Sequence, residues 1–326
     1  MKSKGAVLEI SVVIPFLNEE PNLQPLCEEL TQSLDAFGRE YELVFIDDGS
    51  TDGGVVVLEG LRDSIPQIKI VSLRRNFGQT AAMAAGLDYA SGKIVITIDA
   101  DRQNDPADIP AMVGKLEEGF DLVCGWRHQR KDGAIMRKLP SKIANRLIAK
   151  TTGVVLHDYG CTLKAMTYDV AKKITLYGEM HRFIPAVASA VGVKIAEVKV
   201  NHRARVAGES KYGISRTFRV ILDLVTVKFL LRFSARPIHF FGMPGLACGS
   251  VGGVMLAYLV FARLFLGESL SDRPMLMFAF ILILIGVQFI LFGLIGEMQT
   301  RTYHESQNKP IYHVRHTVGV DDDKKS

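Results

Sequence analysis

Short apolar runs recur along the first part of the chain, at residues 10–14, 43–47, 68–73 and 94–99, and each is closed by polar or turn residues. Rich in Val and Ile, they read as buried strands. Between them, apolar positions fall at helical spacing in 22–37, in 55–62 and in the Ala-rich stretch 79–90. Strand alternating with helix predicts an α/β fold: a mostly parallel sheet with helices on both faces. Further strands are expected at 122–124 and within 193–200, with a helix through 137–150.

The pattern changes after residue 212. In 215–233, Val220, Ile221, Leu224, Val227, Leu230 and Leu231 recur at helical spacing, with Arg216, Arg219, Asp223 and Lys228 between them. An amphipathic helix directly before a membrane span belongs in the lipid interface. From 238 to 262 and from 275 to 296 there is no Asp, Glu, Lys or Arg, and about 20 such residues suffice to cross a bilayer. Two such runs joined by a short polar loop predict a transmembrane hairpin. The expected division is a catalytic-type domain (1–212), an interfacial helix (213–236), spans at 237–262 and 275–296, and a cytoplasmic tail (297–326) that is disordered beyond Lys309.

Charge sets the orientation. Lys228, Arg232 and Arg236 precede the first span and Arg301, Lys309 and Arg315 follow the second, whereas the loop mixes Arg263 and Arg273 with Glu268 and Asp272. The positive-inside rule then keeps the large domain and the tail in the cytoplasm, as a multi-pass protein of the inner membrane. No cleavable signal peptide is read at the N-terminus. A net charge of +4 suits an anionic lipid surface and is too small to argue for nucleic acid. Cys27, Cys124, Cys161 and Cys248 lack CxxC spacing and read as reduced thiols, not as a zinc or disulfide framework.

The candidate chemistry sits where strands stop. Val95-Ile96-Thr97-Ile98 runs into Asp99-Ala100-Asp101-Arg102-Gln103, which places two acids at the carboxyl end of a strand, where open sheets bind ligands. Paired carboxylates there suit Mg²⁺ shared with a diphosphate. Asp-x-Asp is common in surface turns, so its neighbours decide. Pro15-Phe16-Leu17-Asn18-Glu19-Glu20 closes the first strand and Asp47-Asp48-Gly49-Ser50-Thr51-Asp52 the second. Neither contains GxGxxG or GxxxxGK[ST], which excludes dinucleotide and P-loop readings. Either would serve as a turn and helix cap in any α/β protein. As a set, they put carboxylates and amides where a base and ribose can be hydrogen-bonded.

With Arg74-Arg75-Asn76-Phe77-Gly78 between the second and fourth strands, the order of these motifs resembles that of the family-2 glycosyltransferases, with their nucleotide-sugar-binding type-A fold. Asp99-Ala100-Asp101-Arg102-Gln103-Asn104-Asp105-Pro106, Gly125-Trp126-Arg127, Asp158-Tyr159-Gly160-Cys161 and Arg205-Val206-Ala207-Gly208-Glu209-Ser210-Lys211-Tyr212 narrow the resemblance to the polyprenyl-phosphate glycosyltransferases. Within that group the chain is similar to dolichyl-phosphate-mannose synthases and bactoprenol glucosyltransferases. The resemblance runs from about residue 10 to residue 212.

It implies that Asp99, Asp101 and Gln103 hold Mg²⁺ or Mn²⁺ against the donor diphosphate. Pro15, Asn18, Glu19, Asp47, Asp48, Arg74 and Asp99 would seat the nucleotide sugar. Arg127, Arg137, Ser141, Arg205 and Lys211 would grip the acceptor phosphate, a task suited to the planar fork of arginine. Asp158, Asp101 and Arg205 make the implied catalytic set. Asp158 is read as a base or as orienting the nucleophile, with holding one of the arginines as the alternative, because a phosphate monoester with a second pKa of ~6 is already mostly dianionic at neutral pH.

Glu179-Met180-His181-Arg182-Phe183 stands where polysaccharide synthases carry Gln-x-x-Arg-Trp, and the departure counts against polymerisation. His181 and His157 read as packing or surface residues. The reaction implied is inverting transfer of one sugar from a nucleotide diphosphate to polyprenyl (undecaprenyl) phosphate. UDP-glucose is the first donor expected, with GDP-mannose and UDP-linked 4-amino-arabinose derivatives as alternatives. A non-catalytic, membrane-anchored scaffold is the rival, and it predicts the loss of a metal carboxylate or phosphate-gripping arginine that this chain retains. A homo-oligomer, a downstream flippase and a lipid-sugar-using transferase are the expected partners.

Overall fold

The computed structural model of the chain describes residues 8–128, 154–176, 180–190, 192–203, 237–267, 273–306 and 311–320. The chain divides into two compact units, Met1–Asp223 together with Pro310–Ser326, and Leu224–Lys309.

In the first unit, strands β1 (Ile10–Phe16), β2 (Tyr41–Asp47), β3 (Ile68–Leu73), β4 (Ile94–Thr97), β5 (Leu122–Arg127), β6 (Lys164–Thr167), β7 (Ile195–Val200) and β8 (Val314–Val318) form one sheet. Their order is β7-β5-β6-β4-β1-β2-β3-β8. The central β4, β1, β2 and β3 are parallel, as is the β5–β7 pair. β6 runs antiparallel to both β4 and β5, and β8 antiparallel to β3. β1 and β2 are buried along their whole length, as a sheet covered on both faces requires.

Side chains alternate between two cores. Ile14, Leu43, Phe45 and Ile70 face α1 (Glu20–Phe37), α2 (Gly54–Leu61) and α4 (Ile109–Glu117), whereas Val44, Ile46 and Val71 face α3 (Gln79–Tyr89). On α1, Leu23, Leu26, Cys27, Leu30 and Leu34 make one buried stripe at helical spacing. α3 lies directly on β1, since a Cβ at Gly86 would fall 2.1 Å from Val13 Cγ1. Two shorter helices, α5 (Tyr168–Lys173) and α6 (Ile184–Ala190), complete the unit.

The tail departs from expectation. Instead of being disordered, its residues 311–320 return to the sheet through β8. Tyr312 Oη donates to Asp88 at 2.8 Å, and the His313 carbonyl accepts from the Arg74 amide at 2.9 Å. The physical reason is β3, which would otherwise be an open edge with unpaired backbone groups.

The second unit is a helical pair, α7 (Pro237–Phe265) and α8 (Pro274–Ser306). Within them, Phe241–Phe265 (25 residues, mean hydropathy 1.8) and Pro274–Gly296 (23 residues, 2.8) are long and apolar enough to span. The helices meet backbone to backbone: a Cβ at Gly286 would lie 2.7 Å from the Gly245 carbonyl oxygen, and one at Gly252 would lie 2.8 Å from that of Ala279. Small residues permit this approach in membrane helices. Met243, Leu264, Phe265 and Met277 point outward, which suits lipid contact. The expected helix at 137–150, the interfacial helix at 213–236, and Arg137, Ser141, Arg205 and Lys211 lie outside the described residues.

Candidate active site

The carboxyl ends of β1, β2 and β4 bring three loops side by side. Phe16 pairs with Asp47, and Val13 with Thr97, so the chain following each strand emerges at the same edge. A cleft of ≈ 340 Å³ lies between these loops, with Pro15, Glu19, Asp48, Gln79, Asp99 and Asp101 on its walls.

The first two loops are laced together. Asn18, at φ 55°, donates its amide to Ser50 Oγ at 3.0 Å and accepts the Thr51 amide at 2.8 Å. Glu20 and Asp52 reciprocate: Asp52 accepts the Glu20 amide at 3.0 Å, and Glu20 accepts the Gly53 amide at 2.8 Å. Asp47 accepts the Ser50 amide at 2.7 Å. Of the residues expected to seat the nucleotide, Asn18 thus joins the two loops and Asp47 braces the turn of its own, while Pro15, Glu19, Asp48 and Asp99 line the cleft.

Asp48 holds the third wall. Its two oxygens accept the Phe77 and Gly78 amides at 2.8 and 3.0 Å. Burial raises its pKa and these two amide bonds oppose the rise. Gly49, at φ 75°, packs so closely that a Cβ would sit 2.6 Å from Arg75 C and Asn76 N. Arg74 turns towards β8, with Nε 3.4 Å from the Val314 carbonyl, while Asn76 and Gly78 line the cleft.

Asp99 accepts from Gln79 Nε2 at 3.0 Å and from Thr162 Oγ1 at 2.8 Å. Burial, and then the charge of Asp101, push its pKa up to about 6 against the pull of Thr162, Lys164 and Arg127. Asp101 is buried, and it accepts the Gln103 amide at 3.2 Å. The charge that Asp101 sets against Asp99 would be relieved by a divalent cation between them. Among the described residues, no group of three His, Cys, Asp or Glu could hold a metal without outside ligands. The donor set therefore fits Mg²⁺ or Mn²⁺ completed by phosphate oxygens. The described bonds of Gln103 run through its backbone, whose carbonyl accepts the Arg203 amide at 2.9 Å.

Arg127, at the end of β5, meets Asp158 in a two-point pair: Nε to Oδ2 at 2.6 Å and Nη2 to Oδ1 at 3.0 Å. The side chains are 13% and 8% exposed. Burial alone would lower the arginine pKa, but the bond to Asp158 and its charge carry it above the ordinary value. Asp158 also accepts the Gly160 amide at 3.0 Å. In this structure it holds an arginine.

Some residues carry no signal in the sequence. Gln79 and Thr162 orient Asp99 from segments far apart in the chain. Lys164 is buried within β6, donates to the Cys161 carbonyl and sets a positive charge near Asp99; a lysine amid apolar neighbours was its one visible mark. His181 is buried, with Nδ1 2.7 Å from Thr80 Oγ1, consistent with packing. His157 stacks on Trp126 at 4.1 Å and meets Glu197 at 2.8 Å.

Residues 11–175, about half the chain, match the family model described as glycosyl transferase family 2. The dodecaprenyl-phosphate galacturonate synthase of Rhizobium johnstonii is 49% identical over 317 residues, covering 94% of this chain and 92% of the relative. The undecaprenyl-phosphate 4-deoxy-4-formamido-L-arabinose transferase of Shewanella sediminis is 36% identical, covering 97% and 94%. Among solved structures, glucosyl-3-phosphoglycerate synthase from Mycobacterium tuberculosis, in complex with Mn²⁺, UDP and phosphoglyceric acid, superposes with a TM-score of 0.51 at 23% identity, covering 68% of this chain and 78% of that one. That likeness concerns the fold.

Proposed function

Because the chain belongs to glycosyl transferase family 2, we propose that it moves one sugar from a UDP-linked donor to a membrane polyprenyl phosphate, inverting the anomeric carbon. The observation that carries this reading is the Asp99–Asp101 pair at the carboxyl end of β4, opening on a cleft whose other walls hold Asp48 and Gln79. A scaffold has no use for two neighbouring acids, one buried and one half-buried, whose charges oppose each other. Mg²⁺ or Mn²⁺ held by Asp99 and Asp101, with Gln103 beside them, would offset charge growing on the departing diphosphate.

The protein's own residues do the rest. Pro15, Glu19 and Asp48 seat the nucleoside, Asn18 ties the first loop to the second, and Asp47 braces the turn of the second. Asp158 holds Arg127 flat and charged, which leaves the guanidinium's remaining donors for a phosphate oxygen. Arg137, Ser141, Arg205 and Lys211 complete the grip on the acceptor. No strong base is needed, since the acceptor phosphate is itself an anion; alignment and charge neutralisation supply the rate.

For the sugar, galacturonate now stands ahead of the glucose expected from sequence, since a relative at 49% identity bears that name and one at 36% bears formamido-arabinose. We place the catalytic unit in the cytoplasm on a two-span anchor. The basic residues Arg232 and Arg236 before the first span and Arg301 and Lys309 after the second support that orientation. The lipid-linked product would then need a flippase and a second transferase, and glycine-lined helices suit a homo-oligomer. The test is transfer of label from UDP-galacturonate, UDP-glucose, GDP-mannose and UDP-4-formamido-arabinose into the lipid fraction by purified full-length chain, with polyprenyl phosphate and Mn²⁺. Incorporation from one donor is expected; none from any donor would remove the proposal.

A further inference from the structure

We propose that Glu29 is a positioning residue that locks the loop carrying Asp101 to the segment entering the basic stretch 205–211, an inference that rests on the transfer reading above. Arg102 directly follows Asp101, and its φ is 59°; with Asn18 it is one of two non-glycine residues at positive φ among the described residues. That backbone shape is disfavoured for any residue with a Cβ and persists where its surroundings enforce it. Glu29 on α1 supplies the enforcement. Its Oε1 accepts from Arg102 Nε at 3.2 Å and Nη2 at 2.5 Å, and its Oε2 accepts from Arg203 Nη1 at 2.5 Å.

Arg203 closes the ring. Its Nη2 lies 2.8 Å from Asp105, and its amide donates to the Gln103 carbonyl at 2.9 Å. Beside it, Asn104 and His202 form an antiparallel bridge. One carboxylate on a helix anchored by its buried leucines therefore pins the metal loop on one oxygen and the neighbouring segment on the other. Two residues beyond Arg203 stands Arg205, assigned above to the acceptor phosphate. Two arginines face two acids here, so the cluster is balanced. Without the Glu29 charge, Arg102 is released one residue away from Asp101, where it can pair with the carboxylate and compete with the cation.

The test is equilibrium Mn²⁺ binding to detergent-solubilised full-length chain in the presence of UDP, read from the paramagnetic resonance of free Mn²⁺. Glu29→Gln is expected to weaken binding about tenfold, the scale on which partners of metal ligands act, and Glu29→Asp to restore most of it. Glu29→Gln combined with Arg102→Ala should bind no more weakly than the weaker single variant, because the two residues act as one unit. The emission of Trp126, the chain's single tryptophan, checks that each variant is folded. Unchanged Mn²⁺ affinity in Glu29→Gln, or additive losses in the double variant, would overturn the role of Glu29 and leave the transfer reading standing. A wild-type chain that neither binds Mn²⁺ with UDP nor transfers sugar would bring down both.

Discussion

Asp99 keeps its proton up to about pH 6 in the folded chain, against an ordinary value of 3.8. Between those values the folded state holds a proton that the unfolded state has released. The ion-free fold therefore loses stability as pH rises through that window and is level above it. A cation reverses the balance, since it binds the deprotonated pair. Mn²⁺ affinity is thus expected to fall as pH drops through 6, measurable by titration at fixed UDP. Asp101→Ala removes one of the two proposed metal ligands, and a cation there would supply several kcal/mol to the transition state, so transfer should drop on the order of a hundredfold or more. Gly49→Ala should weaken UDP binding in calorimetry although Gly49 does not itself line the cleft, because its methyl group would drive Arg75 and the cleft residue Asn76 away from Asp48. The acids of the site were legible because each ends an apolar run. The partners of Asp99 and Asp158 were not, since Thr162 lies 63 residues from Asp99 and Arg127 lies 31 from Asp158, and spacing says nothing about contacts at such range.

At the scale of elements, the four central strands could be read from their Val- and Ile-rich runs, which parallel pairing buries on both faces. β6 and β8 could not. β6 is four residues long and contains a buried lysine, and β8 is five residues with exposed Arg315 and His316 at its middle. Yet β8 bears on the site: it pairs with β3, and His313 lies edge-on to Phe77, whose amide holds Asp48. Deleting residues 311–320 should lower thermal stability and UDP affinity together. Tyr312→Phe, which removes only the bond to Asp88, should cost about 0.5–1.5 kcal/mol and leave UDP binding near wild type; denaturant melts and calorimetry separate the two.

For the molecule as a whole, the uncharged runs announced the helical pair from sequence alone, while its glycine contacts needed the structure. Gly286→Leu should force α7 and α8 apart, because a single Cβ already meets backbone at 2.7 Å; loss of monodisperse protein in detergent reads the effect. Orientation can be measured with single cysteines. Cys27, Cys124 and Cys161 are buried and give little background. A cysteine at Glu268, between the spans, should react with an impermeant maleimide on intact cells, and one at Thr317 in β8 only after permeabilisation. The reverse pattern would place the catalytic unit outside.

β8 leaves the ribosome only after both apolar helices have been made. Translation thus delivers the final strand of the sheet last, once the translocon has had its chance to accept the hairpin. Until β8 docks, β3 is a bare edge and the Phe77 side of the cleft lacks the brace of His313, the kind of edge on which aggregation starts. The sheet that carries the candidate site is thus completed only after the whole helical pair has been synthesised.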